Sequence, residues 1–157
     1  MESGPWGTKI QRLARIAEQR SMEVESVDYT DTMDPGVRVD RLLAILERED
    51  GDCVLVGSSM GGYVALAASI EVPVRGVFLM APALYISGYE VQDYPTRADN
   101  VDIVHGWNDD VIPPDNSIRF AREYGHRLHL VNGNHALSDV LEDVDQLFKL
   151  FLDQLRV

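Results

Sequence analysis

The sequence predicts an α/β fold of three layers, a mainly parallel sheet with helices on both faces. Two observations carry this. Helical and strand-like stretches alternate along the chain, and the strand-like runs Cys53 to Val56 and Gly76 to Met80 contain no charged or polar side chain but the thiol. A strand that is apolar on both faces is covered on both faces, which in an alternating chain means a parallel sheet packed between helices, with sites at the strands' carboxyl ends.

The elements follow in order. From Thr8 to about Arg20, Ile10, Leu13, Ala14 and Ala17 recur at i, i+3, i+4 and i+7, the apolar stripe of an amphipathic helix. Met22 to Tyr29 changes to a period of two and reads as a weakly patterned strand. Asp34-Pro35 opens a second helix, with Leu42, Leu43 and Leu46 among its buried positions. Cys53 to Val56 is a strand and Met60 to Ser69 a helix of small residues; Gly76 to Met80 is the next strand. Residues 82–100 carry Pro82, Gly88, Pro95 and three tyrosines without a period, which fits a loop or small lid. Val101 to Val104 reads as a strand, Asp115 to Tyr124 as a helix and Arg127 to Val131 as a strand. A final amphipathic helix carries Val140, Val144, Leu147, Phe148, Phe151 and Leu155.

The 157 residues suit one domain, 1–157, and a hydrophobic content of 45% supplies a core. A net charge of -12 repels phosphate, which argues against nucleic acid and anionic membrane as partners. The one cysteine, Cys53, lies in an apolar run; it reads as a buried structural thiol in a reducing compartment, and the expected location is the cytoplasm. No apolar stretch approaches the roughly 18 residues of a membrane span, so no membrane insertion is expected.

Between strand and helix stands Gly57-Ser58-Ser59-Met60-Gly61, a G-x-S-x-G match that centres Ser59; Ser58 would need glycine where Val56 stands. The motif places its serine on a sharp, strained turn, and the flanking glycines let two backbones approach. The helix that follows aims its first amides at the site, so the Met60 N–H is a candidate oxyanion donor. A phosphate-binding loop is excluded because Tyr63 stands where that motif requires lysine. A serine nucleophile needs a base, and this type of turn sets the chain order as serine, acid, histidine. Downstream, His105-Gly-Trp-Asn-Asp-Asp-Val-Ile-Pro113 and Asn132-Gly-Asn-His135 each follow a strand. His105 precedes the acids and breaks the order; a hydrogen bond to loop backbone is its expected role. Trp107, Tyr85, Tyr89 and Tyr94 are candidates for a substrate-pocket wall, Trp107 and Tyr85 foremost.

GSSMGG, HGWNDDVIPPDNS and NGNHALSD together resemble the small α/β-hydrolase-fold serine esterases and thioesterases. The resemblance covers nearly the whole chain. It implies a minimal α/β-hydrolase fold with little or no cap and a triad of Ser59, Asp109 and His135, with Asp110 left as a solvated loop acid. It implies hydrolysis of a small acyl ester or thioester without cofactor or metal. In the family an apolar strand and a His-Gly pair precede a segment like ESGPWGTK; here Met1 and Glu2 fall where the family places the second oxyanion donor, so Glu2 is the candidate for it. The missing strand would stand between those matching Met22 to Tyr29 and Cys53 to Val56, leaving them about 10 Å apart at roughly 4.8 Å per strand spacing. A start assigned too far downstream is one explanation. An unpaired sheet edge makes a homodimer a possible remedy. The alternative to catalysis is a weak or inactive hydrolase-fold protein that serves as a binding module.

Overall fold

The computed structural model describes residues 4–49 and 52–155. Over these residues the order is α1 (Thr8–Glu18), α2 (Pro35–Leu46), β1 (Val54–Ser58), α3 (Met60–Glu71), β2 (Val74–Met80), β3 (Ala98–Gly106), α4 (Pro114–Tyr124), β4 (Arg127–Val131) and α5 (Leu141–Gln154). The four strands form one parallel sheet in the order β1-β2-β3-β4. Local chemistry sets the ends of several elements. The Asp34 carboxylate accepts from the amides of Gly36 and Val37 and caps α2, with Pro35 at its first position. Gly125, at φ 75°, ends α4 in the left-handed conformation that suits glycine.

The central strands explain the three layers. On β2, Val77 and Leu79 face a cluster built with Leu42, Leu66 and Phe120 from α2, α3 and α4. Phe78 and Met80 face the opposite cluster, with Leu13 and Ile16 of α1 and Phe148 and Phe151 of α5. Every one of these strand residues is buried, so the unbroken apolar run is explained by two covered faces.

The expected strand at Met22 to Tyr29 is not formed: these residues belong to no sheet ladder. Their alternation still directs Met22, Val24 and Val27 inward against the two clusters. A strand requires a neighbour's backbone, and β1 is not within pairing reach. A cavity of about 1040 Å³ opens there instead, reached by Val24 and Val27 on one side and by Val54 and Val56 on the other.

One side of β1 therefore has no strand partner among the described residues. Cys53 O accepts from Arg75 N, and Ser59 N donates to Met80 O, so the odd-numbered residues turn their backbone groups toward β2. Backbone groups alternate along a strand, and those of Val54, Val56 and Ser58 point the other way, toward the cavity.

Candidate active site

The carboxyl ends of β1, β3 and β4 bring three loops together. Ser59 stands between β1 and α3 with φ 54° and ψ -122°, a sparsely populated positive-φ conformation that costs a non-glycine residue on the order of 1–3 kcal/mol. Its amide donates to Met80 O, and its carbonyl accepts from the amides of Gly62, Tyr63 and Ala83, which holds the strained turn from three sides. Gly57 is required because a Cβ there would collide with the Gly61 carbonyl. The expected need for a small residue at Gly61 itself differs from what is seen: a Cβ there meets nothing, whereas one on Gly62 would lie 2.8 Å from Pro82 Cβ. A second tight approach, between α3 and the Pro82 turn, thus falls one residue beyond the motif.

Ser59 Oγ lies 3.1 Å from His135 Nε2, and His135 Nδ1 lies 2.7 Å from Asp109 Oδ2. The loops that carry these side chains are tied to each other. Trp107 N donates to Val131 O and Asn108 N to Gly133 O, while the Asn108 side-chain amide donates to Asn132 Oδ1. Gly106 permits this contact, since a Cβ on it would strike the Gly133 carbonyl.

Asp109 is buried and accepts on both oxygens. Its Oδ1 takes the amides of Val111 and Ile112, each at 2.8 Å. Burial alone would raise its carboxyl, but the His135 bond and the two amides outweigh it and hold the carboxyl below the usual carboxylate range. An ionised, doubly anchored carboxylate keeps the proton of His135 on Nδ1 and leaves Nε2 free to accept from Ser59.

His105 does more than the expected backbone bond. Its Nε2 faces the Ile112 carbonyl and Asp109 Oδ2, both at 3.0 Å, and its Nδ1 lies 2.7 Å from Ser117 Oγ. Burial pushes its pKa down, although Ile112 and Asp109 oppose this. With two acceptors before Nε2, the neutral ring carries its proton there, and Nδ1 accepts from the Ser117 hydroxyl. His105 thus supports the same carboxylate oxygen that receives His135. The sequence signal was its spacing to Asp109 and Ser117, which marks one loop but not a contact with the acid.

In the first turn of α3 the amides of Gly62 and Tyr63 donate to Ser59 O, and Met60, the expected oxyanion donor, borders the cavity that holds Ser59. Glu2, expected as the second oxyanion donor, lies outside the described residues. Trp107 and Tyr85, expected at the pocket wall, do not line the cavity. Trp107 is held by its backbone to Val131 while 56% of the residue is exposed. Tyr85, at φ 58°, turns back against Tyr94 and lies under the Arg119 guanidinium, 3.8 Å from the ring centroid. Burial and the Glu123 charge push its hydroxyl up to about 12 despite that guanidinium. The cavity that holds Ser59 and His135 is lined instead by residues that include Ala83, Ile86, Tyr89, Val111 and Ile112. Tyr89 was among the candidates; nothing in its aperiodic loop distinguishes it from its neighbours in sequence.

Lys9, at the start of α1, is expected from the helix period to face water with Arg12 and Arg15, but the structure turns it partly inward. Its Nζ donates to Ser58 Oγ at 2.9 Å on the same cavity. Burial lowers its pKa, and the field of Asp109 opposes that shift. A lysine on a helix face reads as a solvated charge, so periodicity concealed it.

Comparison with known proteins adds the family. The model of the alpha/beta hydrolase family matches residues 4–156. Among solved structures, a protein of the alpha/beta hydrolase superfamily from Xanthomonas campestris pv. campestris is 33% identical, with a TM-score of 0.89 over 98% of this chain and 94% of that one. The mouse alpha/beta hydrolase domain-containing protein 10 shares the fold at 18% identity, with a TM-score of 0.75 over 98% of this chain and 86% of that chain. An alpha-beta serine hydrolase homologue from Coxiella burnetii does so at 18% identity, with a TM-score of 0.70 over 92% and 76%. A search of curated proteins found no match. Three-layer architecture, parallel sheet and family match agree, and the chain belongs to the alpha/beta hydrolase family.

Proposed function

We propose that this hydrolase-family chain cleaves carboxylic esters or thioesters through an acyl-enzyme. The observation that carries the reading is the unbroken line of hydrogen bonds from Ser59 Oγ through His135 to Asp109. Ser59 Oγ attacks the acyl carbon while His135 Nε2 takes its proton. The Met60 amide binds the oxyanion, with Glu2 the candidate for a second donor. His135 returns the proton to the departing alcohol or thiol, then accepts one from the water that attacks the acyl-enzyme; collapse frees the acid and Ser59. Asp109 orients His135 and stabilises its cation throughout. The apolar wall of Ala83, Ile86 and Tyr89 suits the acyl part of a small molecule.

A fluorophosphonate probe tests the nucleophile. Labelling of the chain that Ser59→Ala abolishes is expected; equal labelling of the variant would refute the assignment. A panel of oxygen and sulfur leaving groups then decides between ester and thioester.

The unpaired backbone groups of Val54, Val56 and Ser58 favour a second reading, a weakly active fold that binds a partner or a second copy of itself. Light scattering on a size-exclusion column measures the dimer, and absence of probe labelling together with a stable complex would favour this reading over catalysis. Among the described residues no helix is long and apolar enough to cross a membrane. The single cysteine supports a cytoplasmic placement.

A further inference from the structure

Beside the nucleophile, the cavity holds a concentration of hydrogen-bond donors that the reaction above does not use. Lys9 Nζ is half-buried, and its hydrogen bond to Ser58 Oγ occupies one of three ammonium protons. No carboxylate pairs with it among the described residues: Asp109 acts on it only through space, and its carboxylate is engaged by His135, His105 and two amides. Glu23 and Glu25 also border the cavity but are exposed and make no ion pair with Lys9. Ser58 Oγ, accepting from Lys9, retains its own proton to donate, and the Ser58 amide faces the same space. A half-buried ammonium with no carboxylate paired to it among the described residues favours an anion beside it, and here the space that would admit one is continuous with Ser59 and His135.

We propose that Lys9 and Ser58 form an anion subsite of the acyl pocket, and that the preferred substrates are esters or thioesters whose acyl chain ends in a carboxylate. The inference rests on the hydrolase reading for its substrate class. The juxtaposition is specific: Ser58 precedes the nucleophile, so a carboxylate held by Lys9 fixes the far end of a short acyl chain while its carbonyl reaches Ser59. Lys9 points its amine into a wall that is otherwise mostly apolar, an arrangement that distinguishes a dicarboxylic half-ester from a neutral ester of equal length.

Binding without turnover is the direct test, using Ser59→Ala and calorimetry with monomethyl glutarate against dimethyl glutarate. We expect the charged compound to bind at least tenfold more tightly, the added Lys9→Met change to erase that difference, and Lys9→Arg to retain most of it. Equal affinities, no binding of either compound, or a preference that survives Lys9→Met would overturn the subsite. Lys9→Gln serves if Lys9→Met does not fold by circular dichroism, since it keeps a donor toward Ser58 without the charge. Probe labelling of the otherwise unaltered chain reports separately on Ser59: labelling with no anion preference refutes the subsite alone, and anion binding with no labelling refutes the esterase reading alone.

Discussion

Ser59, His135 and Asp109 depend on one another unequally. Asp109 holds its place through two amides and His105 even without the imidazole, whereas His135 receives its orientation from Asp109. Asp109→Asn should therefore preserve the fold but lower turnover by about 10⁴, because an amide favours the wrong tautomer of His135. His105 is a positioning residue, and its replacement should be milder and of a different kind. His105→Leu removes the donor to Asp109 Oδ2 and should shift the acid limb of the pH–rate profile and lower kcat with little change in KM; His105→Gln should restore part of it through its own amide donor. Unchanged profiles in both would reduce His105 to packing. That Ser59, Asp109 and His135 come together was legible in sequence because motif spacing and chain order each constrain them. Trp107 and Tyr85 were not, because which way a loop aromatic points depends on backbone ties such as Trp107 N to Val131 O and on the φ of Tyr85, neither of which has a periodic signature.

Among the elements, α3 and its approach to the Pro82 turn carry the geometry of Ser59. Gly62→Ala would press a methyl onto Pro82 Cβ and should destabilise the chain by about 1–3 kcal/mol, whereas Gly61→Ala, which meets open space, should unfold at nearly the midpoint of the unaltered chain in a urea titration. This reverses the ranking that the five-residue motif suggests. Helices and buried strands were readable because apolar period reports which side is covered: Arg127–Val131 matches its expectation at both ends, and β2 and β3 extend past theirs, where Val74, Ala98, Asn100, His105 and Gly106 gain ladder partners. Met22 to Tyr29 shows the limit of the same argument. Alternation reports which side chains turn inward, but a strand also needs an adjacent backbone, and adjacency is a property of the whole sheet.

For the molecule as a whole, acid should be destabilising in two windows. Burial lowers the pKa of His105 and also of His126, whose Nε2 has no hydrogen-bond partner among the described residues, so the unfolded chain binds more protons than the folded one just below pH 6.5. Stability is then lost as pH falls from about 6.5 toward the folded-state values. Asp109, held below its ordinary value, adds a second loss below about pH 4. Thermal midpoints measured from pH 7.5 to 5 should fall, and His126→Phe, which keeps the ring packing against Phe120, should make that slope shallower. A slope unchanged by the substitution would exclude His126 from the effect. The one-sided pairing of β1 has a consequence in time as well as in energy. Amide deuterium uptake should alternate along the strand, slow at Leu55 and Gly57, whose N–H groups face β2, and faster by orders of magnitude at Val54, Val56 and Ser58. Ser59, the proposed nucleophile, thus follows a strand whose two sides exchange on different clocks, and closure of that gap by any bound polypeptide would register first as the disappearance of the alternation.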